Sequence, residues 1–391
     1  MLTMRSDTIY LDHAATTPLD EAVLEAMIPY LTRHHGNPSS VHRWGRQARV
    51  AVEDAREQVA ACLCAEPGEI VFTSGATEAN NWVLRQRMAA AGPEAHLITS
   101  AAEHEAVLEP AASLEAQGYH VTRLTPTRYG RITPDQVEAA LTEHTALVSL
   151  MHVNNETGAR TDIPAIAGLC RAHGVALHSD TVQSMGLFRN DVQELGVDYA
   201  TISAHKFYGP KGIGALYVRS GSALNPLIEG GSQERDQRGG TEHIAGMVGL
   251  ASALQQAYGR AEHERERLHG LQRHLLDALD TKLGDTVILN TPPDPAHRAP
   301  HVVNVAVPPQ NDTPVDGEML ILNLDMEGVL ASSGSACTSG TLTPSHVLSA
   351  IGLDDATAAA AVRFSLGRST TAADIDQAVD ALAATLDRLR G

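Results

Sequence analysis

With 391 residues, 43% of them hydrophobic and 19% charged, the chain suits a large core with a smaller satellite and is neither disordered nor fibrous in composition. A formal net charge of −18 without any Lys/Arg run argues against binding a phosphate backbone, and no stretch has the apolar length of a signal peptide or a membrane span. Cys62, Cys64, Cys170 and Cys337 form no disulfide framework and the 19 histidines lack paired zinc-site spacings, so a reducing, cytoplasmic setting without a metal is expected.

From about residue 69 to residue 219, short apolar runs alternate with amphipathic stretches. The runs at 70–73, 96–99, 121–124, 146–151, 175–178, 199–202 and 214–218 predict strands, and the stretches at 77–88, 106–117, 134–141 and 164–173 predict helices. Such alternation predicts an α/β layer fold with a largely parallel seven-stranded sheet. A longer helical pattern at 244–282 is interrupted by Gly259 and Gly270, so it either kinks or bridges two units. Beyond it, short strands (287–289, 302–307, 362–365) and helices (315–323, 372–388) predict a smaller α/β unit. The expected division is 13–258 for a large domain and 1–12 with 259–391 for a small one.

Ligands of open α/β sheets bind beyond the carboxyl ends of the strands. Five strands deliver polar residues there: Ser74–Glu78, Glu103-His104, Asn154–Glu156, Asp180, and Ser203–Lys206. Ser74–Glu78 reads equally as a helix start capped by Ser or Thr and as a phosphate cradle built from first-turn N–H groups and the Thr77 hydroxyl. His104 reads as a core histidine or as a group that stacks on a cofactor or shuttles protons. Asp180 is a loop cap or the partner of a pyridinium nitrogen, and Gly239-Gly240-Thr241 a loop end or a close approach to an anion. Lys206, Asp180 and Gln183 together are the groups that pyridoxal phosphate requires: an amine for a Schiff base, a carboxylate for the ring nitrogen, an amide for the phenolate oxygen.

Further on, Cys337 sits in the small-residue stretch Ser332–Pro344, which lacks the apolar flanks of a packed cysteine and suits a thiolate that travels. Thr343 and Pro344 predict the cap and first position of a helix over 345–351. Arg363 interrupts an apolar strand, either facing solvent or serving as a fork for a carboxylate.

The strings YLDHAATTP, FTSGATEANN, EHEAVLEP, MHVNNETG, SAHKFYGPKGIGALYVR, RGGTEH, SSGSACTSG and VRFSLGR resemble the cysteine desulfurases of the NifS/IscS type (group I, class V aminotransferase family) over residues 10–368. The resemblance implies a fold-type-I pyridoxal-phosphate homodimer, with Lys206 carrying the cofactor, Asp180 on its ring nitrogen, Gln183 on its phenolate oxygen and His104 stacked on the ring. Ala76, Thr77, Ser203 and His205 would hold the phosphate, with Thr241 from the other subunit, while Asn155 and Arg363 would receive the substrate carboxylate. Lys206 would then act as base at Cα, and Cys337 would take the sulfur of L-cysteine as a persulfide, releasing L-alanine. The sulfur would pass to an acceptor protein, an iron–sulfur scaffold or a tRNA-thiolation enzyme, without direct contact to nucleic acid or membrane. The alternatives are a selenocysteine lyase, another class V aminotransferase, for which Cys337 has no use, and a non-catalytic carrier or scaffold. Against the family pattern, Thr181 replaces an alanine expected beneath the ring, His243 replaces an asparagine, and 308–318 is longer. The sequence ends at Gly391, where IscS-type enzymes continue into a tail that engages their scaffold.

Overall fold

Seven strands form the main sheet, in the spatial order Ile70–Thr73, Gly214–Val218, Tyr199–Ser203, Ala176–Asp180, Thr145–Ser149, His96–Ser100 and His120–Leu124. The structure is a computed structural model that describes residues 8–222, 224–311, 313–333 and 344–390. Gly214–Val218 runs antiparallel to both neighbours, and the other neighbouring pairs are parallel. Each strand lies within two residues of its expected position, because buried parallel strands read as continuous apolar runs. Helix starts also follow local chemistry: Thr133 and Gln136 form a capping box around Pro134, and the Asp162 carboxylate accepts from the Ala165 N–H.

The long helical pattern breaks once. Ile244–Gly259 packs Ala245, Met247, Leu250 and Leu254 into the core of the large sheet, whereas Ala261–Leu283 sends Leu268, Leu275, Leu279 and Leu283 into a second core. Gly259 marks the break. Gly270 does not interrupt its helix, since one interior glycine only weakens a helix.

The second core lies against an antiparallel sheet of Ile288–Leu289, Val302–Ala306 and Ala361–Ser365, with Val302–Ala306 in the middle. Ile9–Tyr10 pairs in parallel with Val329–Leu330, and Ile9 and Leu11 pack with Val303, Phe364 and Leu382. The N-terminal segment thus joins the C-terminal elements. The helix cap lies two residues later than expected: Ser345, still in extended backbone, is the cap and accepts from the Leu348 N–H at 3.2 Å. Thr343 and Cys337 lie outside the described residues. Among the described residues, no helix is long and apolar enough to cross a membrane.

Candidate active site

The carboxyl ends of the parallel strands open onto one pocket of about 760 Å³. Lys206 enters it from the turn that follows Tyr199–Ser203. Its Nζ donates to the carbonyls of Ala14 (2.6 Å) and Ala15 (2.8 Å). Burial pushes the amine down to about 8, with Arg363 adding repulsion and Asp180 and Asp12 pulling the other way. A neutral, nucleophilic fraction is therefore present near neutral pH.

Asp180 ends its strand, and its carboxylate accepts from Asn80 Nδ2 (2.8 Å) and the Val182 N–H (3.0 Å). Gln183, one turn on, donates through Nε2 to Ala14 O at 2.9 Å. Thr181 does not lie beneath the site. Its hydroxyl donates to Thr201 O at 2.8 Å inside the sheet, and Val182 lines the pocket instead.

Of the two readings left open for Ser74–Glu78, the start without a side-chain cap is the one found. Gly75 is the N-cap of Ala76–Ala91 and supplies no side-chain cap. The nearby polar side chains are engaged elsewhere: the Thr73 hydroxyl donates to Gly75 O at 3.0 Å, and the Glu78 carboxylate accepts from the Ser74 N–H at 2.8 Å while pairing with Arg238. First-turn N–H groups without a side-chain cap, flanked by Thr77, Ser203 and His205, form an anion-binding cradle. A Cβ on Gly214 would sit 2.8 Å from Gly75 Cα, so glycine there lets the antiparallel strand lie against the helix start. His205 Nδ1 is 3.1 Å from Thr16 Oγ1, and burial, with Lys206 and Lys211 adding, pushes its ring down to about 4.

His104 caps the helix Glu105–Ala116, its Nδ1 accepting from the Ala106 N–H at 3.0 Å. Its ring borders the open pocket yet has enough protein around it that burial lowers its pKa, Lys206 and His346 adding and Asp180 and Glu105 opposing. A neutral ring whose orientation is fixed by a cap suits stacking on a flat cofactor. Glu103, its neighbour, is buried beneath the site and accepts from the Met151 N–H at 2.9 Å; burial raises its carboxyl well above the usual range.

Arg363 does not face solvent. At 4% exposure it points into the pocket wall, donating to Asn155 O at 3.0 Å and to Asp12 Oδ1 at 2.9 Å. Its Nε and the Asn155 Oδ1 are buried without hydrogen-bond partners among the described residues. A guanidinium at the edge of a pocket suits a carboxylate ligand, for which Asn155 has a donor only in its Nδ2.

The expected residues Ala76, Thr77, His104, Asn155, Asp180, Gln183, Ser203, His205, Lys206 and Arg363 thus all border one pocket. Thr241 is exposed and does not border it within this chain. The sequence reading missed Asp12 and Asn80; the available signal was Asn80, an amide on the buried face of its helix beside Ala79, Trp82 and Val83. The donor set can hold a flat, aromatic cofactor with a ring nitrogen and a phosphate: amine, carboxylate and amide lie on one side, and an uncapped helix start on the other.

The Aminotransferase class-V family matches residues 9–378. A cysteine desulfurase IscS from Dictyoglomus turgidum is 44% identical over 383 residues, covering 98% of this chain and 95% of its own. A solved NifS-like protein aligns with a TM-score of 0.89 at 34% identity, covering 98% of this chain and 100% of its own. A structure of SspA in complex with cysteine aligns at 0.79 and 37% identity, covering 92% and 99%.

Proposed function

The chain belongs to the Aminotransferase class-V family, and we propose that it is a cysteine desulfurase that removes sulfur from L-cysteine, giving L-alanine and a persulfide on Cys337. The observation that carries this reading is the meeting of Lys206, Asp180 and Gln183 with the buried guanidinium of Arg363 in one pocket. Pyridoxal phosphate is the cofactor this donor set fits; when bound, it accepts the electron pair released at the substrate Cα. Ala76, Thr77, Ser203 and His205 would hold its phosphate, joined by Thr241 of a second copy in a homodimer. Asp180, kept in place by Asn80, would hold the proton on the ring nitrogen; Gln183 would donate to the phenolate oxygen, and His104 would stack on the ring.

The rest of the chemistry belongs to the chain. Arg363 and Asn155 orient the substrate carboxylate, which fixes the Cα–H bond toward Lys206. Lys206, whose amine titrates near 8, removes that proton at Nζ. The Cys337 thiolate then attacks the substrate sulfur. A sulfur–sulfur bond forms, the substrate carbon–sulfur bond breaks, and the carbon skeleton takes up protons to leave as alanine. The persulfide sulfur passes to an acceptor protein in iron–sulfur cluster assembly or tRNA thiolation, in the cytoplasm. Residues 13–258 form the cofactor-binding domain, and 1–12 with 259–391 the domain that carries Cys337.

Alanine formation from L-cysteine by the pyridoxal-phosphate-loaded protein, beside Cys337→Ser, tests the reading. Alanine from the wild type alone is expected. None from either protein, with the cofactor bound at Lys206, would move the assignment to another amino-acid substrate.

A further inference from the structure

We propose that His301 is a positioning residue for Gln183, fixing the amide so that one of its N–H bonds faces the cofactor's phenolate oxygen. The inference rests on the cofactor reading above and extends it to a side chain from the small sheet. His301 immediately precedes Val302–Ala306, and its Nε2 lies 3.2 Å from Gln183 Oε1. Both residues are buried, at 6% and 9% exposure.

The hydrogen bonds determine which atom faces which. Ala14 O is an acceptor without a proton to give, and it already receives the Lys206 amine. The group of Gln183 that meets it at 2.9 Å must be the NH₂. The Gln183 carbonyl oxygen therefore faces His301, and His301 Nε2 must carry the proton between them. An amide NH₂ has two hydrogens. One goes to Ala14 O, and the other is left for the pocket that Gln183 lines.

The other half of the imidazole shows that this bond is what the ring contributes. His301 Nδ1 is buried with no hydrogen-bond partner among the described residues. Burying an unpaired ring nitrogen is costly, and packing alone would be served as well by a leucine. The ring also stays neutral: burial pushes it down to about 3, with Arg363, His13 and Lys206 facing it and adding repulsion. A charged ring would place a second donor against that cationic group; a neutral Nε2–H ring donates to Gln183 alone. Gln183, Lys206 and His301 also line a second cavity of about 50 Å³, which shares Val182, Gln183 and Lys206 with the main pocket, so the ring stands beside the lysine–glutamine part of the site. Without the donor, the Gln183 amide is free to rotate about its last torsion, and the phenolate oxygen loses a fixed partner.

The test is the visible spectrum of the cofactor-loaded protein titrated with pH. A visible band that Lys206→Ala abolishes establishes the cofactor reading; its absence in the wild type refutes that reading before His301 is tested. Two donor-less replacements of different shape, His301→Leu and His301→Met, are expected to move the titration midpoint upward by about half a pH unit, the size of one ordinary hydrogen bond. The direction follows because a phenolate that loses an amide donor holds the neighbouring nitrogen's proton more tightly. His301→Gln, whose terminal N–H reaches about as far as Nε2, should restore the wild-type midpoint. Wild-type midpoints in the Leu and Met proteins would overturn the proposal, as would a Gln protein that shifts as far as they do. Nitrogen NMR of ¹⁵N-histidine-labelled wild-type protein reads the ring directly: an Nε2–H tautomer is expected at His301, and an Nδ1–H tautomer or an imidazolium would overturn it.

Discussion

The two walls of the pocket are built in different ways. The wall proposed to hold the cofactor, called the cofactor wall, comes from the ends of neighbouring strands in one sheet, where Asp180 and Ser203 close their strands and Lys206 lies three residues beyond Ser203. The substrate wall is assembled across long sequence distances. Arg363 stands on the small sheet, pairs with Asp12, and donates to the backbone of Asn155, while Ser345 donates to Glu156. The first wall is built on the large sheet, with the His301 contact to Gln183 reaching it from the small one. The second exists only where the two cores dock. Ligand-holding groups can therefore be separated into those that fail with the cofactor and those that fail with the substrate alone.

The largest effect should separate the walls outright. Lys206→Ala removes both the covalent anchor and the base, and alanine formation should fall by at least about 10³-fold together with the visible band. Arg363→Gln should leave the band in place and lower kcat/KM for L-cysteine by about 10²-fold, chiefly through KM, the cost of one charge-assisted pair with a carboxylate. Loss of the visible band in Arg363→Gln would show that the walls are not independent.

A smaller effect tests the docking itself. The Ser345 hydroxyl donates to Glu156 Oε2 at 2.5 Å, and both side chains are buried. Burial raises the Glu156 carboxyl, while Ser345 and Arg363 work to keep it ionised. Ser345→Ala leaves that oxygen without its donor and removes the helix cap, so stability should fall by about 1–3 kcal/mol, read as a lower unfolding midpoint of the apoprotein. Uptake of pyridoxal phosphate should stay at the wild-type level while alanine formation declines. Weakened cofactor uptake would mean that Glu156 supports the cofactor wall instead.

The same contrast explains what could be read in the sequence. Strand ends announce themselves: an apolar run stops and an unusual polar residue follows, which is why Asp180, Gln183 and Lys206 stood out. The Arg363 guanidinium was ambiguous on its own strand, since only the Asp12 and Asn155 contacts show that it faces inward. Asp12 and His301 gave no local signal, because each acts on a partner more than a hundred residues away. The Ser74–Glu78 start stayed ambiguous for a local reason. Its capping residues were present, but Glu78 turned to Arg238 and to the Ser74 N–H, and Thr73 to Gly75 O, so no side chain caps the helix start. Thr181 likewise required the strand's facing to be known, and one residue of register decides whether it lies under the ring or inside the sheet.

Asp12 is where the two walls meet electrostatically, and it gives the finest test of their coupling. It pairs with Arg363, yet its charge also raises the Lys206 pKa, while Arg363 lowers it. Burial disfavours the charged form of the Lys206 amine and pushes it down to about 8 from the ordinary 10.5. Pyridoxal phosphate is captured by the neutral amine, so the rate at which apoprotein gains its visible band should rise with pH through about 8. Asp12→Asn removes a nearby negative charge and leaves the Arg363 cation less compensated. Both changes disfavour the ammonium, so the midpoint should move down by about half a unit and capture at pH 7 should quicken by roughly threefold. Arg363→Gln removes the opposing cation and should move the midpoint up. Shifts of opposite sign would show the substrate wall tuning the cofactor wall through charge alone. If both variants moved the same way, the shift would come from rearranged packing around Lys206, and the separation of the walls would hold in geometry but not in electrostatics.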